Sequence, residues 1–162
     1  METVLYFDID GVLLNYDDEP KTMLLDGRLQ TRLKALNLDR LVCVSGWSDI
    51  VNSDVPPKPQ SIQKERIYDL LKAIFTDRAW FLYRLQLQYN TDQRCQYINL
   101  TGNWFYMDDW ADQFFTDAYG SKAYSQHLGQ RVLLVDPHAA GEDILSWLDT
   151  RVASLCKYPG TG

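Results

Sequence analysis

Residues Val4 to Leu14, reading Val-Leu-Tyr-Phe-Asp-Ile-Asp-Gly-Val-Leu-Leu, constrain the fold of this chain more than any other stretch. An apolar, β-prone run ends in two carboxylates one residue apart, Asp8 and Asp10, and Gly11 then lets the backbone turn sharply away. Strand alternation sends Asp8 and Asp10 to the same side, so two negative charges crowd together where a core strand would bury Val or Ile. Either the acids sit at a strand end and face water, or a positive group lies against them. A hydrated Mg²⁺ is the simplest such group, because it takes oxygen ligands and needs only one or two carboxylates, leaving places for waters and a phosphate.

The rest of the chain supplies the setting. At 162 residues with 46% hydrophobic content, a single globular domain over 1–162 is expected. The net charge of −6 gives no strong overall field for nucleic acid or an anionic membrane. Cys43, Cys95 and Cys156 are odd in number and lack CxxC spacing, which suggests neither a disulfide framework nor a zinc site and fits a reducing compartment. The N-terminus enters a strand directly and no apolar run approaches the length of a membrane span, so a cytoplasmic protein without a membrane partner is expected.

Strand and helix patterns then alternate. After an acidic turn at Asp17, Asp18 and Glu19, the leucines Leu29, Leu33 and Leu36 mark one face of a helix running to Leu38. Arg40 to Val44 reads as a strand covered on both faces, and it ends in Ser45-Gly46, where a hydroxyl and backbone N–H groups can cradle a phosphate. A proline-rich connection containing Lys58 leads to a helix beginning near Ser61 with Lys64 in its first turn, and either lysine can reach an anion in the crevice or simply face solvent. From Ala79 to Asn103, alternation on both sides of Asn90-Thr91-Asp92-Gln93 predicts a β-hairpin insertion, although a helix through Tyr89 also fits its Leu, Gln and Arg residues. Trp104 to Met107 is a third core strand ending in Asp108-Asp109, and a helix follows to a C-cap at Gly120. Arg131 to Val135 is a fourth strand, closed by Asp136-Pro137-His138, and a helix from Glu142 to Leu155 completes the chain. His138 reads as a turn residue. Alternating strands and helices with apolar strands predict an α/β fold with a doubly wound, Rossmann-like parallel sheet, whose polar strand ends meet in one crevice.

At this point the chain resembles the haloacid dehalogenase superfamily of aspartate-dependent phosphatases. Tyr6 to Leu13 matches its first motif, an apolar strand followed by Asp-x-Asp-Gly-[Val/Thr], and Val42 to Ser45 matches the second, an apolar strand ending in Ser or Thr. Phe105 to Asp112 matches the fourth, an apolar strand ending in clustered acids. The third motif, a lysine upstream of those acids, is met loosely by Lys58 or Lys64; only 12 residues separate Ser45 from Lys58, which places Lys64 slightly ahead. The resemblance covers nearly the whole chain except roughly Ala79 to Asn103.

The resemblance implies that Asp8 attacks phosphorus and that Asp10 is the general acid and base. It implies Mg²⁺ held by Asp8, the backbone carbonyl of Asp10, and Asp108 or Asp109, with Ser45, Gly46 and a lysine on the phosphoryl oxygens. The gaps in which this superfamily inserts cap domains are short here, which favours a bulky phosphorylated substrate such as a protein or a nucleic-acid end. The competing expectations are a catalytically inactive binding module and a phosphotransferase on the same scaffold. A phosphate-accepting receiver domain fits poorly, because its acid pair follows the first strand and its lone acceptor the third.

Overall fold

Both faces of a parallel strand are covered by helices, so such a strand must be apolar along its whole length. A computed structural model describes residues 2–14, 28–45, 69, 71, 75–88 and 94–156, and its first strand, β1 (Thr3–Phe7), is buried at every position. The elements that follow are α1 (Arg28–Ala35), β2 (Arg40–Cys43), α2 (Arg78–Arg84), β3 (Leu85–Leu87) and β4 (Asn103–Asp108). After them come α3 (Ala111–Tyr119), α4 (Ser121–His127), β5 (Val132–Leu134) and α5 (Glu142–Trp147). The last helix continues through a π-helical stretch (Leu148–Val152) into α6 (Ala153–Cys156).

Five strands form one all-parallel sheet in the order β3-β2-β1-β4-β5. The order reverses at β1: β2 and β3 lie on one side of it, β4 and β5 on the other. In open α/β sheets that reversal opens a crevice outside the carboxyl ends of the strands. Side-chain alternation divides the core in two. Leu5, Phe7, Leu41, Phe105 and Met107 pack with Leu29 and Leu33 of α1 and with Ile144, Trp147 and Leu148 of the last helix. Val4, Tyr6, Val42, Trp104, Tyr106 and Val132 pack on the opposite face with Ala111 and Phe115 of α3. Each fully buried side chain of this size contributes about 1.5–3 kcal/mol relative to exposure. The architecture is therefore an α/β Rossmann-like sheet with helices on both faces.

One expectation fails. The stretch from Ala79 to Asn103 is not a β-hairpin insertion: its described residues form the end of α2, which runs directly into β3, and β3 is the fifth parallel strand of the main sheet, paired with β2. The alternation of Phe81, Tyr83 and Leu85 coincides with a helix because α2 is only two turns long and is fixed at its start. The Asp77 carboxylate caps it by accepting from the Trp80 N–H at 3.1 Å, and the Asp77 N–H donates to Gln30 Oε1 of α1. The sequence reading also ended the helix after β4 at Gly120. That residue does end α3, with φ at 93°, but a further helix, α4, starts immediately after it and rests Ala123 and Tyr124 against the core.

Asp77 makes the start of α2 sensitive to pH. Its carboxylate also accepts from Lys34 Nζ at 2.9 Å, and this bond, with the Trp80 N–H, lowers its pKa. A group whose pKa is depressed on folding stabilises above its unfolded value, near about 4, and loses that contribution as pH falls through the folded value. Asp77→Ala should therefore lower the melting temperature at neutral pH, and the gap to wild type should close in acid. A gap that is constant across that range in thermal denaturation would show that the cap and the Lys34 pair do not act through the carboxylate's charge.

Candidate functional site

Alternation carries the face occupied by Val4 and Tyr6 on to Asp8, and the face occupied by Trp104 and Tyr106 on to Asp108, so the two acids end neighbouring strands on the same side of the sheet. The β1–β4 register pairs Phe7 with Met107, and the Asp8 N–H extends the ladder by donating to the Met107 carbonyl at 3.2 Å. Beyond Asp8 the strand stops. Residues Ile9 to Leu14 fold back in a turn in which the N–H groups of Val12, Leu13 and Leu14 all donate to the Ile9 carbonyl. Gly11 occupies the left-handed region at φ 77°, where a side chain would be strained. Asp10 is thus presented by a turn and not by strand alternation.

The structure brings Asp8, Asp108 and Asp109 together: one carboxylate oxygen from each lies within 4.8 Å of the others. The Asp10 carboxylate is not one of that trio, although its Oδ1, like that of Asp109, is shielded from solvent. Ser45 is buried just beyond β2, whose next residue, Val44, donates its N–H to the Phe7 carbonyl, so the serine is one strand away from Asp8. Gly46, Lys58 and Lys64 lie outside the described residues.

Sequence reasoning missed Arg94. Its side chain is 10% exposed, its Nη1 donates to Asp108 Oδ2 at 2.7 Å, and the same nitrogen is 3.6 Å from Asp8 Oδ1. The guanidinium carbon lies 3.8 Å from the centre of the Phe114 ring on α3. The backbone around it is tied down on both sides. The Gln88 side chain donates to the Arg94 carbonyl at 2.8 Å while the Gln88 N–H donates to Cys43 of β2, and the Tyr119 hydroxyl donates to the carbonyls of Cys95 and Ile98. An arginine in a polar turn gives no local sign of burial; the one available signal was an unmatched cation upstream of the Asp108-Asp109 pair.

Asp108 is fully buried and engaged at both oxygens. Oδ2 accepts from Arg94 and, at 2.6 Å, from the Tyr106 hydroxyl; Oδ1 accepts from the Trp110 N–H at 2.9 Å. The electrostatics follow from this crowding. Burial raises the pKa of Asp8 well above the carboxylate range, the charge of Asp108 adds to the rise, and Arg94 and the Ile9 N–H oppose it. Burial and the Asp108 charge likewise raise the Tyr106 phenol well above its usual value, so it stays a donor. For Arg94, burial works against the charge, but Asp108 and Asp8 outweigh it and its pKa rises. Burial pushes the neighbouring Cys95 thiol up to about 12, which excludes it as a thiolate nucleophile at neutral pH.

Carboxylates are hard oxygen donors of the kind that Mg²⁺ and similar divalent cations take, and Asp8, Asp108 and Asp109 each offer one oxygen within 4.8 Å of the others. No family model matches the chain, and neither a curated protein nor a solved structure is found to match it, so the residues and their geometry carry the functional reading.

The raised pKa of Asp8 has a measurable consequence in the metal-free protein. A carboxyl whose pKa rises on folding contributes stability that is full below its unfolded value, about 4, and is lost as pH climbs through the folded value. In EDTA-treated protein, urea denaturation should show wild type losing stability relative to Asp8→Asn as pH rises through this window. Parallel profiles for the two proteins would contradict a pKa of Asp8 that rises on folding.

Proposed function

We propose that this chain is a Mg²⁺-dependent phosphatase of the haloacid dehalogenase type, acting through an aspartyl-phosphate. The observation that supports the reading best is the convergence of Asp8 and the Asp108-Asp109 pair at the carboxyl ends of β1 and β4, where the strand order reverses. Asp8 is the nucleophile. One of its oxygens forms a bond to phosphorus as the bond to the leaving oxygen breaks, and Asp10 gives that oxygen a proton. Water then attacks phosphorus as Asp10 takes its proton, the P–O bond to Asp8 breaks, and inorganic phosphate leaves, restoring the Asp8 carboxylate and the protonated Asp10. Asp8 and the Asp108-Asp109 pair would hold the cation, together with the Asp10 carbonyl. The bound ion would favour the ionised form of Asp8 against the burial that raises its pKa, and would offset the negative charge of the phosphate. Ser45 and Gly46 are assigned to the phosphoryl oxygens, with Lys64 or Lys58 as further candidates.

We place the protein in the cytoplasm, on the strength of three cysteines of which none forms a disulfide. Among the described residues no helix is long and apolar enough to cross a membrane. Residues Arg78 to Leu87 form α2 and a strand of the main sheet and do not add a separate cap, which favours an open crevice and a bulky phosphorylated substrate, a protein or a nucleic-acid end.

One observation favours a second reading, an inactive binding module: Arg94 already offsets charge on Asp8 and Asp108 without a metal. Turnover separates the two. Wild type should hydrolyse an aryl phosphate in Mg²⁺ and lose that activity in EDTA. Asp8→Asn should lower the rate by about 10³-fold or more, and Asp10→Asn by about 10²–10⁴. Equal rates for wild type and Asp8→Asn would leave the binding module as the better description.

A further inference from the structure

A buried guanidinium is costly to desolvate, and an ion pair that served folding alone could be replaced by apolar groups with little loss. Yet Arg94 is placed with several constraints at once: the Asp108 carboxylate on one side, the Phe114 ring against its plane, and Gln88 and Tyr119 holding its backbone segment. The result sets a planar cation 3.6 Å from Oδ1 of Asp8. A guanidinium presents its N–H groups as a rigid fork that matches the oxygens of a tetrahedral oxyanion, which a lysine cannot do.

We infer that Arg94 is the residue that grips the oxyanion seated at Asp8, that Phe114 is a positioning residue that acts through it, and that Asp108, besides its place among the converging carboxylates, aligns it through Oδ2. The inference rests on the phosphatase reading for the identity of that oxyanion as a phosphoryl group. It moves the holding cation from Lys58 and Lys64 to a segment that the sequence left unassigned. It also gives Asp108 a task distinct from that of Asp109: its Oδ2 aligns the guanidinium, and the Tyr106 hydroxyl on the same oxygen aligns Asp108 in turn. Phe114 fixes the remaining freedom, rotation of the guanidinium out of its plane, by cation–π contact at 3.8 Å. When an anion joins Asp8, Arg94 keeps its partner in Asp108 and turns its attraction for Asp8 toward the incoming oxygens.

The test uses the full chain and inorganic tungstate, a tetrahedral oxyanion that binds without turning over, titrated calorimetrically with and without Mg²⁺. Arg94→Met should weaken tungstate binding about tenfold or more, and Arg94→Lys should recover part of the loss. Phe114→Leu should weaken it about threefold with little change in melting temperature, since Phe114 is only partly buried. The double variant Arg94→Met/Phe114→Leu should bind no worse than Arg94→Met, because a positioning residue has nothing left to position. Unchanged tungstate affinity in a folded Arg94→Met, or additive losses in the double variant, would overturn the inference. If Arg94→Met does not fold, Arg94→Lys and Phe114→Leu decide: wild-type affinity in both overturns it, and a loss in both supports it. Tungstate binding through Arg94 with no hydrolysis by wild type would remove the phosphatase reading and leave this inference standing. Hydrolysis by wild type with Arg94→Met unaffected in tungstate affinity and KM would do the reverse.

Discussion

The Arg94 guanidinium bridges the ends of the two central strands. β1 and β4 are neighbours, their side chains alternate in phase, and each carries an aspartate at the first position past its apolar run on the same face. Two buried carboxylates in that arrangement repel one another, and burial alone costs several kcal/mol per ion. Arg94 sits between them, hydrogen-bonded to Asp108 and within ion-pair distance of Asp8, so the strands can end in acids and remain covered. The rest follows from that balance: Asp108 is free to accept from Tyr106 and Trp110, α3 can begin at Ala111 directly after the acids, and Phe114 on α3 lies against the guanidinium.

The cancellation is incomplete. Arg94 does not bring Asp8 back to an ordinary carboxyl; burial and Asp108 still raise its pKa. On the phosphatase reading proposed above, a bound cation would favour the ionised form of Asp8 against that burial.

What could be read from the sequence was what local pattern determines. β1, β2, β4 and β5 were legible because a strand buried on both faces writes itself as an unbroken apolar run, and Asp8, Ser45, Asp108 and Asp109 were legible as polar residues abruptly ending such runs. β3 was not. It is three residues long, joins α2 without a turn residue between Arg84 and Leu85, and gains its strand character only by pairing with β2. α4 was hidden by Gly120, a residue that stops one helix and, at φ 93°, redirects the chain into the next. Arg94 was hidden for a different reason. Its burial is decided by a carboxylate 14 residues away and an aromatic ring on α3, and nothing in its own neighbourhood distinguishes it from a solvent arginine. The acids at the site belong to strands and were visible; the cation belongs to a connection and was not.

Gln88 links these two halves. Its N–H continues the pairing of the sheet by donating to Cys43, and its side chain grips the Arg94 carbonyl, so it belongs at once to the edge of the sheet and to the charged cluster. Edge strands are the first parts of a sheet to open in local unfolding, and a three-residue edge strand has few bonds to lose. Gln88 therefore ties a hydrogen bond of the charged cluster to the end of a short strand that contributes no acid to it.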